Sequence, residues 1–351
     1  MLQAREASLV TVADLEGEVA ATVAKLLGAK ANDVAPLAGG RNNQLFKVRT
    51  DRGPIACKRY PRDVRDRRDR LGIEFGALTL LSRFGISAVP RPLARDETAG
   101  IALYQWIEGE RVDAPAVADL EAALDLMSAM HRLRFQAVGR WLHDASAAVF
   151  SPVQAVAQLQ QRRAQFEAPA NDNAHLARFL AEFDLTAGRL VGAARQRAER
   201  AEIGWDRLLP RAQQTLSPSD MGFHNALRQA DGSIIFLDFE YFGWDDPAKL
   251  VNDFADHPGS ALDAGLATRF RADAAAIYAA TDGGYRQRAE VLRILCGLIW
   301  CMILLNEFLP DRWQRRHLAG SANDRDAAGR AQLAKATAFL KRLCIDERGM
   351  A

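Results

Sequence analysis

Three polar residues, Asp220, Asn225 and Asp238, lie just before or at the ends of one predicted β-hairpin. The segments on either side of this hairpin have the spacing of helices. The hairpin comprises residues 225–229 (NALRQ) and 233–239 (SIIFLDF), with a turn at 231–232, where Asp-Gly favours a tight hairpin. A hairpin brings its two ends together, so we expect Asn225 and Asp238 to approach one site. Oxygen ligands beside a further carboxylate suit Mg²⁺, which prefers carboxylates together with substrate phosphates. The pattern therefore predicts a magnesium site next to Asp220.

The first hundred residues combine helical patterns with short strand-like runs. Helical spacing over residues 14–27 is followed by short, glycine-punctuated runs at 34–37, 44–50 and 54–60, which predict three antiparallel strands. Residues 62–83 return to helical spacing, with Ile73, Ala77, Leu80 and Leu81 on one face. Two further strands are expected at 89–93 and 101–107. This part of the chain is predicted to be a small sheet with one principal helix.

The rest of the chain is predicted to be mainly helical. The composition changes near residues 108–114, helical patterns fill most of 116–202 with a break around 168–173, and they resume beyond Asp246. The most apolar segment, residues 291–309, contains Arg293 and Glu307 and barely reaches the length of a membrane span. We interpret it as a buried helix, and we expect no association with a membrane.

Composition excludes several classes of protein. Lys and Arg number 46 against 44 Asp and Glu, a net charge of +2, and no groove-reading motif accompanies the arginines, so we expect no nucleic-acid partner. Four scattered cysteines fit neither a zinc site nor a secreted disulfide scaffold. With no signal-peptide pattern at the N-terminus, we expect a cytoplasmic protein.

The order of these motifs resembles a known family. Asp-x4-Asn, a hairpin, Asp-Phe and then Gly-Trp-x-Asp-Pro, over a resemblance that spans roughly residues 34–260, is similar to the aminoglycoside phosphotransferase and choline kinase family, relatives of the protein kinases. The resemblance implies an α+β, two-lobed, protein-kinase-like fold. Residues 1–108 would form the nucleotide-binding lobe with its leading helix, and residues 109–351 a mainly helical lobe that carries the catalytic loop and the acceptor site. ATP and Mg²⁺ would bind between the lobes.

The resemblance also implies roles for individual residues. Asp220 would be the catalytic residue that accepts or orients the proton of the substrate hydroxyl, while Asn225 and Asp238 would hold Mg²⁺. Lys58 would bind the α- and β-phosphates of the nucleotide, and Glu74 would orient Lys58 through an ion pair. Gly39, Gly40 and Asn42 would belong to the loop that covers the phosphates, and the backbone at Ile107 would hydrogen-bond the adenine edge.

Two departures from the family pattern leave an alternative open. Pro218 stands where the family usually has His, two residues before Asp220, and Glu240 follows Asp238-Phe239 and adds a negative charge near the metal ligands. The expected function is ATP-dependent transfer of the γ-phosphate to a hydroxyl of a small molecule, since no Ala-Pro-Glu activation segment follows Asp238. The alternative is a nucleotide-binding pseudokinase that acts as a scaffold or regulator.

Other residues have a structural interpretation beside the functional one. His224 either contacts substrate or packs the loop, with packing favoured, and Asp246 is interpreted as structural support. The basic run 58–70 could steer anions, but its interspersed Asp residues favour a solvated helix face. The acceptor stays open between a sugar, an amino alcohol and an aminoglycoside-like compound, and the oligomeric state is open as well.

Overall fold

The fold is described from a computed structural model, for residues 12–37, 43–61, 68–136, 143–313 and 324–349. The chain divides into two compact units, Met1–Glu108 and Gly109–Ala351.

The first unit contains a five-stranded antiparallel sheet with the strand order β1-β2-β3-β5-β4. Its strands are β1 (Ala31–Leu37), β2 (Gln44–Thr50), β3 (Gly53–Arg59), β4 (Pro92–Asp96) and β5 (Ile101–Gln105). Helix α1 (Val12–Leu27) precedes the sheet and ends at Gly28, whose φ of +58° is the left-handed conformation common after a helix. The predicted leading helix and the first three strands are confirmed.

One face of this sheet packs on α1. Val19 and Val23 of the helix, Phe46 and Val48 of β2 and Cys57 of β3 all belong to one buried cluster. Burial raises the pKa of the Cys57 thiol to about 12, so this cysteine acts as a small apolar side chain.

The fourth strand begins later than predicted. We expected a strand over residues 89–93, whereas β4 spans Pro92–Asp96. Pro90 and Pro92 have no N–H to give to a ladder, and β4 lies at the edge of the sheet, where a proline is tolerated at the first position of a strand.

Helix α2 (Arg70–Arg83) is shorter at its start than predicted, with its described part beginning after Asp69. The Asp69 carboxylate accepts a hydrogen bond from the backbone N–H of Gly72 at 2.9 Å and caps the helix. The predicted apolar face is partly wrong, because Ile73 and Leu80 are only half-buried while Glu74 is buried. The buried face of α2 therefore includes Glu74, which forms an ion pair with Lys58, in place of a fully apolar set of residues. Residues 62–67 of the basic run lie outside the described residues.

The second unit is mainly helical, with three short strand pairings that involve residues 110–111 and 215–245. The helices are α3 (Val117–Leu133), α4 (Pro152–Ala164), α5 (Glu167–Asn171), α6 (Ala174–Arg200), α7 (Pro247–Asp256), α8 (Ala264–Tyr278), α9 (Tyr285–Leu304) and α10 (Arg325–Gly349). The strands are β6 (Glu110–Arg111), β7 (Thr215–Ser217), β8 (Ala226–Arg228), β9 (Ile234–Phe236) and β10 (Gly243–Asp245). The predicted loop or helix break around 168–173 is confirmed as an interruption between α4 and α6, although the short helix α5 occupies part of it.

The predicted hairpin is confirmed as β8 and β9, which pair antiparallel around Asp231 and Gly232. Gly232 has a φ of +86°, which a glycine adopts without strain. Strand β6 pairs with the outer edge of β8, and β7 pairs with β10. These small sheets hold both ends of the segment that contains Asp220, Asn225 and Asp238.

The apolar segment forms α9, which packs against α4, α6, α7 and α10. Together with the 3-10 turn that follows it, this helix is long and apolar enough to cross a membrane, yet 67% of its most apolar window is buried inside the protein. Gly297 leaves room for Leu343 of α10, because a Cβ added there would lie 2.8 Å from a Leu343 methyl group. The interpretation of this segment as a buried helix is confirmed.

Candidate active site

In the first unit, β3 and α2 place a lysine against a glutamate. The Nζ of Lys58 lies 2.6 Å from the Oε2 of Glu74, and both side chains are buried. The hydroxyl of Tyr60 donates to the same oxygen at 2.6 Å and lies 2.9 Å from the hydroxyl of Tyr104. Burial, and then the charge of Glu74, raise the pKa of Tyr60, so the phenol stays a neutral donor.

Tyr60 and Tyr104 were missed in the sequence, although a signal exists for the first of them. Tyr60 stands two residues after Lys58, and side chains two apart along a strand point to the same side of the sheet. The network fixes the position of Glu74 from two directions, by a charge and by a phenol. The predicted pairing of Lys58 with Glu74 is therefore present in the structure, while the contact of either residue with nucleotide stays a prediction.

The remaining predicted nucleotide contacts fall at two places. Gly39, Gly40 and Asn42 lie outside the described residues. Ile107, which follows β5, has a buried side chain. Its neighbour Glu108 accepts a hydrogen bond from Lys47 of β2 at 2.9 Å, which ties the end of the first unit to the sheet.

In the second unit, the chain bends sharply before Asp220. Ser219 has a φ of +68°, a conformation that a non-glycine residue adopts only where its surroundings hold it. Its backbone N–H donates to the Ser217 hydroxyl at 3.0 Å, and its own hydroxyl donates to the Ser146 carbonyl at 2.6 Å. Pro218 is buried. The bend leaves the Asp220 side chain 40% exposed at the end of the turn.

Asn225 is bonded to both sides of the predicted metal site. Its side-chain Nδ2 donates to the backbone carbonyl of Asp220 at 3.0 Å, and its backbone carbonyl accepts from the N–H of Leu237 at 2.7 Å. Leu237 precedes Asp238, so the hairpin does bring Asn225 next to the segment that carries Asp238. Asp238 has a φ of +65°, a second strained position in the same short region.

The donor set fits Mg²⁺. Because the Asn225 Nδ2 is already engaged as a donor, the amide oxygen is the atom left to act as a ligand, and the Asp238 carboxylate supplies hard oxygen atoms. Metal binding by these two residues stays a prediction. Glu240, the charge that we noted near them, is buried.

Two histidines face the Asp220 carboxylate. The Nε2 atoms of His224 and His257 lie 3.3 Å and 3.6 Å from the same oxygen, Oδ1, and the two imidazole rings stack with centroids 3.8 Å apart and planes 4° apart. His224 thus packs within the loop, the role that we favoured from the sequence, and it also faces Asp220. His257 was missed, because it lies 37 positions beyond Asp220 and no local pattern joins them.

The tautomer of His257 follows from its other nitrogen. The backbone N–H of Gly259 donates to Nδ1 at 2.9 Å, so in the neutral ring the proton lies on Nε2, the atom that faces Asp220. The edge of Trp300 packs on the ring, with centroids 4.6 Å apart, and the Trp300 indole N–H donates to Asp253 at 3.0 Å. His257 is therefore held on two sides with a donor directed at the carboxylate.

Two glycines make room for the stacked rings. A Cβ added at Gly222 would lie 2.5 Å from Nδ1 of His224, and one added at Gly259 would lie 2.8 Å from the His224 Cβ. Real Cβ atoms do not approach so closely, so larger residues at either position would displace His224.

Asp246, the residue after β10, is buried in a network of ion pairs. Asp246 caps α7 by accepting from the N–H of Ala248 at 2.7 Å and contacts Arg288 of α9 at 2.7 Å, while Arg288 reaches Asp282 at 2.6 Å. Burial raises the pKa of Asp246, and Arg288 opposes that rise. The geometry agrees with the structural role that we predicted for Asp246.

A second buried cluster surrounds Lys249. Its ammonium lies 3.0 Å from Asp245 and 2.8 Å from Asp253, the residue that also accepts from Trp300. Burial lowers the pKa of Lys249, yet the two carboxylates outweigh it and raise the pKa, so the lysine stays charged. Through Asp253, Trp300 and His257, this cluster supports the side chain that faces Asp220.

Comparisons with known proteins agree with this geometry. A sequence profile of the phosphotransferase enzyme family (APH) matches residues 33–292, well over half of the chain. No curated protein sequence matches the chain. The chain therefore belongs to the phosphotransferase enzyme family.

Solved structures share the fold at low sequence identity. Spectinomycin phosphotransferase APH(9)-Ia, solved with ADP and spectinomycin, is 12% identical, with a TM-score of 0.62 over 92% of this chain and 98% of its own. Choline kinase LicA from Streptococcus pneumoniae is 15% identical, with a TM-score of 0.58 over 93% and 99%. A choline/ethanolamine kinase family protein from Mesorhizobium loti is 17% identical, with a TM-score of 0.56 over 95% and 98%.

The family match and the shared fold confirm three predictions. The resemblance to aminoglycoside phosphotransferases and choline kinases is confirmed, as is the α+β, kinase-like fold. The protein is an enzyme of the small-molecule phosphotransferase class, which confirms the predicted kind of activity.

Proposed function

We propose that the protein transfers the γ-phosphate of ATP to a hydroxyl group of a small molecule in the cytoplasm, with no nucleic acid or membrane as partner. The observation that carries the proposal is the hydrogen-bonded unit of Asp220, Asn225 and the β8–β9 hairpin that leads to Asp238. It combines a half-exposed carboxylate with oxygen ligands for a metal, as phosphoryl transfer requires.

Each residue then has one task. The acceptor oxygen forms a bond to the γ-phosphorus as the bond from that phosphorus to the β-phosphate oxygen breaks, and ADP leaves. Asp220 orients the hydroxyl and accepts its proton. Lys58, held by Glu74, places a fixed positive charge on the α- and β-phosphates. Asn225 and Asp238 would hold Mg²⁺, which would supply positive charge to neutralise the phosphate oxygens.

His257 and His224 position the Asp220 carboxylate. The Nε2 of His257, which carries the ring proton in the neutral tautomer, lies 3.6 Å from the Asp220 Oδ1 and places a polar group beside the carboxylate. The stacking of the two rings argues against a metal held by both histidines. Their lone pairs would lie in nearly parallel planes, whereas a metal site needs ligand atoms that converge.

Nucleotide binding is tested by thermal unfolding of the wild-type protein with ATP, with and without Mg²⁺. A ligand that binds only the folded state at a hundredfold excess over its Kd stabilises it by roughly 2.7 kcal/mol. We expect a magnesium-dependent shift that Asp238→Asn removes and that Asp231→Asn, at the exposed hairpin turn, retains. A folded protein that shows no shift with Mg-ATP would contradict the proposal.

Turnover distinguishes the enzyme from the pseudokinase. We expect slow ATP consumption that Asp220→Asn abolishes while the thermal shift with Mg-ATP persists. Consumption that is equal in the two proteins, or absent from both across a panel of acceptors, would favour the pseudokinase alternative.

A further inference from the structure

A pocket of about 340 Å³ lies at the carboxyl end of α7. Its walls come from the end of α7, the turn at His257 and Pro258, the end of α9 and one side of α10. The volume lies within the range of small-molecule sites, and Leu262, Leu304 and Phe339 give it an apolar wall.

His257 connects this pocket to the catalytic loop. His257 lines the pocket, and its imidazole Nε2 lies 3.6 Å from Oδ1 of Asp220. The pocket and the carboxylate that we assign to the acceptor hydroxyl therefore share one neighbouring residue.

The charges at the pocket are mostly positive. Besides His257, the ionisable side chains that line it are Asp256, Lys335 and Arg342. Asp256 is already paired, with Arg271 of α8 at 2.7 Å and with Arg342 at 3.4 Å. Two cations, Lys335 and Arg342, therefore line the pocket with one carboxylate, which is also paired with Arg271 outside the lining, so the pocket attracts anions.

The pocket lacks the usual features of a cation site among the residues that the structure describes. A quaternary ammonium or a polyamine is recognised by aromatic faces or by carboxylates. The one aromatic ring in the lining, Phe339, is covered by the Arg342 guanidinium, whose Cζ lies 4.6 Å from the ring centroid. The one carboxylate is paired with two arginines.

We propose that this pocket binds the phosphate acceptor, and that the acceptor carries an acidic group as well as the hydroxyl that is phosphorylated. The inference rests on the proposed function, because it takes Asp220 as the residue that receives the hydroxyl. The acidic group lies beside Lys335 and Arg342, and the hydroxyl lies past His257 at Asp220. The acceptor class is thus a hydroxy acid, a sugar acid or a phosphorylated polyol.

The test uses compounds that differ in charge on the same carbon skeleton: glucose, gluconate, glucose 6-phosphate and glucosamine, with glycerol, glycerate, glycerol 3-phosphate and choline as a smaller set. At constant ionic strength, we expect the acids to stabilise the full-length protein against heat and to stimulate ADP release from Mg-ATP. Stimulation by carboxylates or by phosphates identifies which acidic group is used.

Lys335→Glu should raise the KM for the stimulating acid by roughly threefold to tenfold, as expected for a partly exposed charge pair. Lys341→Glu makes the same change on the same helix outside the pocket and should leave that KM unchanged. Equal effects of the two substitutions, a preference for the neutral or cationic compounds, or no stabilisation by any acid would overturn the proposal. If Mg-ATP causes no shift in the thermal unfolding of the wild-type protein, that result would instead overturn the proposed function.

Discussion

In the proposed function Asp220 acts as a base, and a residue far along the chain, His257, lies against its carboxylate. The Nδ1 of His257 is occupied by the N–H of Gly259, so its Nε2 carries the proton that faces Asp220. The same ring thus stabilises the turn and the carboxylate through different atoms. These two tasks can be separated by substitution.

His257→Asn keeps an acceptor where Nδ1 was but has no group that reaches Asp220, whereas His257→Gln keeps a donor at the reach of Nε2. We expect the Asn variant to lower kcat for ATP consumption about tenfold, the loss of one polar contact with a charged group, with an unchanged KM for ATP. The Gln variant should recover part of the rate. A wild-type rate in the Asn variant, at equal thermal stability, would show that His257 acts only through the turn.

At the scale of elements, α7 and α9 are joined by a buried ion pair. Arg288 contacts Asp246, which caps α7, and removal of the arginine leaves a buried carboxylate without its partner. We expect Arg288→Met to lower the free energy of unfolding by about 3 to 5 kcal/mol. Arg269→Met, which breaks an exposed pair with Asp273 on α8, should cost less than about 1 kcal/mol. Urea unfolding measures both, and similar losses would contradict the assignment.

Local signals predicted most elements, and errors arose where tertiary contacts outweigh them. The β8–β9 hairpin follows from Asp231-Gly232 and the apolar run before Asp238. The start of α2 was missed because Asp69 belongs to a run of alternating charges, which we interpreted as a helix face and not as a cap. The buried face of α2 was partly wrong because Glu74, a charged residue, is buried through Lys58.

For the molecule as a whole, His131 of α3 makes stability depend on pH. Burial, and then the charge of Arg134, lower its pKa to about 4, with Asp282 opposing the shift. Below its ordinary pKa of 6.5 the unfolded chain binds a proton that the folded protein does not, so stability falls as the pH drops from 6.5 towards 4. His131→Phe, which keeps a ring against Tyr278, should reduce this slope in urea unfolding at several pH values. A slope equal to that of the wild type would refute it.

The candidate site could be predicted in part for a physical reason. Asp220, Asn225 and Asp238 lie within one local hairpin unit, so their spacing carries the information. His257, Trp300 and Arg288 reach the same region only because α7, α8 and α9 pack together, and residues that meet through packing leave no periodic signal. The residues that we propose for the chemistry were therefore foreseeable, together with Glu74 beside Lys58, whereas His257, Trp300 and Arg288 were not.

The packing of α9 has a consequence for how the chain is made. α10 covers part of the most apolar helix, with Leu343 seated over Gly297, and it is synthesised after α9. Until α10 has left the ribosome, α9 is an apolar segment of nearly membrane-spanning length that α4, α6 and α7 can cover but α10 cannot. A product of interrupted translation that ends between these helices would be a substrate for chaperones or for the membrane-insertion machinery, whereas the finished protein hides the same segment.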